Sequence, residues 1–191
     1  MPEPVEGKVR CFDRLSNRKV QSSTAQSQKP ISILYDNDVH CAVDGYAKLV
    51  ALRDLVSDTT DFVTTVSCGD FASGGVIASV SDGELIVDIM NKVGYDVVAP
   101  GNHELDYGMK QLFAFSESLN AEVVCANLKN VQIDEFPFPA YHIISYGDID
   151  VAFLGFTTPS SGTVMSLSDG EGNPLYSFMR EDFYSNAQNF F

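Results

Sequence analysis

Positive charge is what this 191-residue chain has least of: 12 Lys/Arg stand against 26 Asp/Glu, a net charge of −14. So acidic a surface argues against holding a nucleic-acid polymer or an anionic membrane through a general electrostatic field. It favours divalent cations, beside the plainer reading of a solvated acidic face. No apolar run approaches the roughly 20 residues of a membrane-spanning helix. The N-terminal residues contain no apolar stretch of the secretory-signal kind. The four cysteines, Cys11, Cys41, Cys68 and Cys125, form no CxxC pair, so a zinc knuckle is not expected. Cys68 and Cys125 read as small apolar residues of strands and Cys41 as a packing residue. No Gly-rich phosphate loop is present, which excludes P-loop, kinase and dinucleotide-binding readings. No Gly-x-Ser-x-Gly elbow supports a serine hydrolase. Histidine is scarce too: only His40, His103 and His142 occur.

What is present suffices for a sizeable core, with 45% hydrophobic residues. Charge divides the chain unevenly. Residues 1–30 hold six Lys/Arg and three Asp/Glu, whereas the remainder holds six and 23. That basic head has no apolar period and includes a Ser/Gln/Thr/Ala stretch over 21–29. It reads as a disordered tail or linker ahead of a domain over 31–191.

From residue 31 the periodicity alternates. A strand over about 31–36 precedes a helix over 44–56, with an apolar face at 46, 49, 52, 55 and 56. A strand over 62–67 follows. Ser81-Asp82-Gly83-Glu84 reads as a capped start for a helix striped by Leu85, Ile86, Ile89, Met90 and Val93 and ended by Gly94. Strands over 95–99 and 121–126 flank a helix over 109–119. Two further strands, 141–146 and 151–156, meet at Gly147-Asp148 as a hairpin. This order predicts an α/β fold with parallel and antiparallel pairing. Residues 159–172 read as a loop. A helix starting near Ser185 is interrupted by the end of the chain at Phe191, which suggests a truncated domain.

The chemistry collects where strands end. Ile31–Tyr35 runs into Asp36-Asn37-Asp38-Val39-His40. Residues 62–68 run into Gly69-Asp70, and Val97–Ala99 into Pro100-Gly101-Asn102-His103-Glu104-Leu105-Asp106. These clusters lie about thirty residues apart, one βα unit each. Open α/β sheets build sites at such carboxyl ends. If the strand continues, Asp38 and His40 at i and i+2 point the same way, toward one ion. Asp70 has two carboxylate oxygens with which to bridge two cations. Asn102 offers a neutral oxygen to the second. Paired cations clamp both oxygens of an in-line displacement and activate water between them. His103 suits a proton donor to the leaving group, and Asp106 a partner that fixes its tautomer.

Asp38-x-His40, Gly69-Asp70 and Gly101-Asn102-His103-Glu104 resemble the first three motifs of the calcineurin-like metallophosphoesterases. Met90–Asp96, Gly101–Gly108, Ala126-Asn127-Leu128 and Val151–Pro159 resemble the bacterial 5′-nucleotidase and UDP-sugar hydrolase branch. The resemblance spans about 31–160. It implies a four-layer αββα sandwich of mixed sheets. It implies two divalent ions, zinc, manganese or similar. Asp38 and His40 would bind the first, Asp70 would bridge, and Asn102 would bind the second together with the phosphate. His103 and Asp106 would be the catalytic pair. The implied reaction is release of phosphate from nucleotides by a metal-activated water, with a nucleotide or sugar-nucleotide as substrate, in a periplasmic or extracellular protein with a C-terminal base-binding domain. The family pattern also calls for later histidines, two in Gly-His-x-His, whereas His142 sits in a plain strand pattern and reads as structural. The chain is therefore expected to be the N-terminal part of a catalytic domain and inactive alone. The alternative is a non-catalytic remnant that binds a metal or completes its site with a second chain.

Overall fold

The computed structural model describes residues 29–158 and 167–179. Residues 1–28 of the expected 1–30 tail, most of the expected 159–172 loop and the helix expected near Ser185 lie outside these residues.

Four strands form one parallel sheet in chain order: β1 (Ser32–Asp36), β2 (Val63–Ser67), β3 (Val97–Val98) and β4 (Glu122–Val123). Parallel strands need crossovers, and helices supply them: α1 (Val43–Ser57), then α2 (Val76–Ser81) with α3 (Glu84–Val93), then α4 (Gly108–Ser118). Register does the work that matters for function. Asp36 pairs with Ser67, Ser67 with Val98, and Val98 with Val123. The carboxyl ends of all four strands therefore stop along one line.

The helices are held by their apolar faces. Ile86, Val87, Met90 and Val93 of α3 are buried, as are Met109, Leu112 and Phe115 of α4. Phe71 packs against Phe115 with ring centroids 6.1 Å apart. Gly94 ends α3 in the left-handed region, and its N–H caps the Met90 carbonyl. Ser81 stands at the start of α3 as expected, its hydroxyl accepting from Leu85 N (3.3 Å) in the first turn. It also closes the short α2, with its hydroxyl donating to Ile77 O, and Asp82 and Gly83 turn the chain into α3.

The face of α1 is rotated from the expected one. Tyr46 is buried and Leu49, Val50 and Val56 are half-buried, but Leu52 and Leu55 are 47% and 68% exposed. The physical reason is Arg53, which occupies the inward position instead. Its guanidinium donates to the Val93 and Gly94 carbonyls at the C-terminus of α3, where positive charge is favoured.

Antiparallel pairing follows the parallel sheet. β5 (Leu128–Asn130) comes first, then β6 (Tyr141–Tyr146) and β7 (Ile149–Leu154), which form the expected hairpin about Gly147-Asp148. β8 (Tyr176–Phe178) returns to pair with β5. The α/β class is as expected, with the two kinds of pairing in separate sheets among the described residues. Cys41 and Cys125 are buried packing residues, whereas Cys68, just past β2, is exposed. Among the described residues no helix is long and apolar enough to cross a membrane.

Candidate metal centre

The aligned strand ends bring Asp38, His40 and Asp70 together, with one ligand atom from each within 4.8 Å of the others. The route differs from simple strand alternation. β1 stops at Asp36, and Asp38 (φ 57°), His40 (φ 44°), Cys41 (φ 62°) and Asp70 (φ 58°) all occupy the left-handed region. Such a conformation costs a non-glycine residue of order 1–3 kcal/mol and persists where its surroundings over-determine it. Here Asp38 N donates to Gly69 O (3.2 Å) and His40 N to Asp70 O (2.9 Å). A turn laced to the neighbouring loop therefore aims both side chains.

The donor set fits a divalent ion. His40 Nδ1 lies 3.2 Å from Ser73 O, which fixes that nitrogen as the donor. Nε2 then presents its lone pair to Asp38 Oδ1 at 3.2 Å. Two acceptors this close need a proton or a cation between them. A backbone carbonyl orienting the far nitrogen is the usual support for a metal-binding imidazole. His40 is half-buried and Asp38 exposed, so the site is open on one side.

The Asp70 loop and the Gly101–His103 loop cross in contact. A Cβ on Gly69 would collide with Gly101 N, and one on Gly101 with Asp70 Oδ1. His103 N donates to Asp70 Oδ1 (2.9 Å). Asn102 is half-buried and immediately precedes a 3-10 turn over His103–Leu105. Gly101→Ala should therefore push the two loops apart, costing about 1–3 kcal/mol of stability as overpacking does. Chemical denaturation would check this, and an unchanged midpoint would contradict the crossing.

His103 stands beside the Asp38–His40–Asp70 cluster. Its ring lies edge-on to His40 with centroids 4.9 Å apart, and its Nδ1 is 2.8 Å from Asp106 Oδ2. That hydrogen bond raises the His103 pKa above the usual histidine value. Desolvation opposes the rise, and the nearby Asp106, Asp70 and Glu104 charges add to it. His103 and Asp106 are thus hydrogen-bonded, and the imidazole is biased toward the protonated form. His142 lies on β6 opposite Phe153, outside the cluster.

A model of the family "Calcineurin-like phosphoesterase" matches residues 31–184. The chain belongs to the calcineurin-like phosphoesterase family. Among its curated relatives, a 5′-nucleotidase of Vibrio cholerae is 32% identical over 114 residues, covering 60% of this chain and 19% of that protein. Endonuclease YhcR of Bacillus subtilis is 29% identical over 179 residues, covering 77% of this chain and 15% of that protein. The structure of Haemophilus influenzae NAD nucleotidase (NadN) shares the fold, with a TM-score of 0.67, 21% identity, and coverage of 83% of this chain and 30% of that one. This phosphoesterase chain thus spans less than a third of the length of each.

Two groups of buried residues near the cluster carry no role in the sequence expectations. Glu104 is fully buried. Burial pushes its carboxyl up, against four backbone N–H groups that favour the anion. Asn127 and Thr157, both buried, exchange hydrogen bonds: Asn127 Nδ2 to Thr157 O at 2.8 Å and Thr157 N to Asn127 Oδ1 at 3.0 Å. The Thr157 hydroxyl donates on to Pro100 O, anchoring the Asn102 loop to the antiparallel side. Both stretches were visible as motif positions, but nothing in their spacing revealed these bonds.

Beneath the site, Asp36 accepts a hydrogen bond from Tyr95, and its other oxygen has no hydrogen-bond partner among the described residues. Burial raises its carboxyl pKa above the ordinary value, only partly offset by Tyr95 and Ser67. A raised carboxyl favours the folded state when protonated, and that advantage is lost as pH rises through the folded pKa. Asp36→Asn should therefore raise the metal-free unfolding temperature at pH 7 by a few degrees. The gain should shrink as pH falls toward the Asp36 pKa. A gain independent of pH, or a loss, in calorimetry would contradict this.

Proposed function

We propose that the chain is the N-terminal part of a metal-dependent phosphomonoesterase of the 5′-nucleotidase type, which releases phosphate from nucleotides. The observation that carries this reading is the junction of an Asp38–His40–Asp70 cluster with a His103–Asp106 pair at one line of strand ends. The nucleotidase names of relatives support the substrate class. Asp38, His40, Asp70 and Asn102 would hold two divalent ions such as zinc or manganese, which when bound neutralise phosphate charge and activate water.

The chain's own residues supply the rest. Asn102 adds no negative charge where a phosphate must approach. Water adds to phosphorus as the bond to the leaving oxygen breaks, His103 gives that oxygen its proton, and the proton that the attacking water loses replaces it on His103. Asp106 holds the ring by Nδ1, leaving Nε2 to deliver the proton. The nucleoside product leaves with phosphate. Recognition of the base by a further, C-terminal domain and a periplasmic or extracellular location belong to the same proposal.

A second reading, a chain that holds a metal without turnover or completes its site with another chain, is favoured by the histidine inventory, since only His40 joins the described cluster. Phosphate release from AMP with added manganese separates the two. The full-length protein should turn over and the 191-residue chain should be close to inactive. Robust turnover by the short chain would contradict the expected division, and a metal-loaded, full-length protein without turnover would favour the second reading.

A further inference from the structure

Glu104 is 0% exposed, yet its four close partners are all backbone amides. Oε1 accepts from Phe71 N (2.8 Å) and Ala72 N (2.9 Å), and Oε2 from Asp70 N (2.8 Å) and Gly101 N (2.6 Å). Every partner is a donor, so the group acts as a carboxylate with both oxygens engaged. Three of the donors lie on the Asp70 loop and one lies on the Asn102 loop. Desolvating a carboxylate is costly unless its bonds are complete, and here they are completed only where the two loops cross.

We propose that Glu104 is a positioning residue of the metal centre: its carboxylate clamps the left-handed Asp70 turn to the Gly101–His103 turn and so fixes the Asp70 carboxylate relative to Asn102. This role rests on the metal-centre reading above. Glu104 is separated from the ligand set by the backbone it holds, and acts through it. Three observations support a clamp over plain core filling. Asp70 sits at φ 58°, a conformation that needs outside support. Its amide is held by Glu104 and its Oδ1 by His103 N, so both ends of the residue are tied to the same turn. The glycines at 69 and 101 let the two loops approach to within the length of these bonds. A neutral isostere cannot replace the group, because its NH2 would face two N–H donors.

The test uses the full 191-residue chain as wild type, Glu104→Gln and Glu104→Asp, at a temperature where circular dichroism shows each to be folded. Two quantities are measured: manganese affinity by calorimetric titration, and hydrogen exchange at the amides of Asp70, Phe71, Ala72 and Gly101. Glu104→Gln should bind manganese about tenfold or more weakly, as loss of an outer-shell partner typically does, and should lose protection at these four amides. Glu104→Asp keeps the charge and should recover part of both. Wild-type affinity in folded Glu104→Gln would overturn the proposal, as would unchanged protection. If Glu104→Gln does not fold, Glu104→Asp decides: full wild-type affinity and protection in it would overturn the clamp. A wild-type chain that binds no manganese would overturn the metal-centre reading instead, and the exchange data would then judge the clamp alone.

Discussion

Asp70→Ala should reduce manganese affinity by more than about 100-fold, beyond what loss of an outer-shell partner costs. Asp70 is where the ligand loops meet. Its carbonyl accepts from His40 N, its amide donates to Glu104 and its Oδ1 accepts from His103 N. Its carboxylate also completes the cluster with Asp38 and His40. Removing it leaves one carboxylate and one imidazole, a set too poor to hold a hydrated divalent ion. Alanine also tolerates φ 58° badly, so Asp70→Asn is the necessary companion: asparagine accepts the left-handed region and keeps one oxygen. Asp70→Asn should bind more weakly than wild type and more tightly than Asp70→Ala. Equal affinity in all three, measured by calorimetric titration, would remove Asp70 from the site.

His103→Asn should lower turnover of nucleoside monophosphate by about 10²–10⁴-fold in the full-length protein, the usual cost of losing a general acid. Metal content should stay nearly unchanged, because the assigned work of His103 is at the leaving group. The Asp106 hydrogen bond gives a further handle. It raises the His103 pKa, and a general acid works only while protonated, so activity should fall as pH rises through that pKa. Asp106→Asn weakens the largest cause of the rise, because its amide oxygen still accepts from Nδ1 but carries no charge. The alkaline fall in kcat should then begin at lower pH. Loss of metal from His103→Asn would make it a ligand instead, and an unmoved alkaline limb in Asp106→Asn would uncouple the pair.

Which side chains gather was legible because each of three β-branched runs is followed at once by groups that a core rejects. Asp38, Asp70 and His103 follow β1, β2 and β3 in that way, and the pairing of Asp36, Ser67 and Val98 turns three separate spacings into one place. How they gather was not legible. Alternation along a strand is a property of extended backbone, and the chain leaves it at Asp36; the left-handed turns at 38–41 and 70 depend on partners in another loop. Glu104 was hidden for the same reason, since its partners are backbone amides 32 to 34 residues away and one at close range. On α1, a stripe of leucines suggested the buried face, but Arg53 earns the inward position through the α3 carbonyls, which no helical period encodes. The strands β5 and β8 are three residues each and exist through pairing with one another across the chain.

Manganese should occupy the Asp38–His40–Asp70 cluster in a crystal of the chain soaked with the ion and recorded for anomalous scattering. The expected peak is bounded by an Asp38 oxygen, His40 Nε2 and an Asp70 oxygen, at the distances of ordinary metal ligation, and is absent from Asp70→Ala. Occupied manganese elsewhere on this acidic surface, with none between those three side chains, would contradict it.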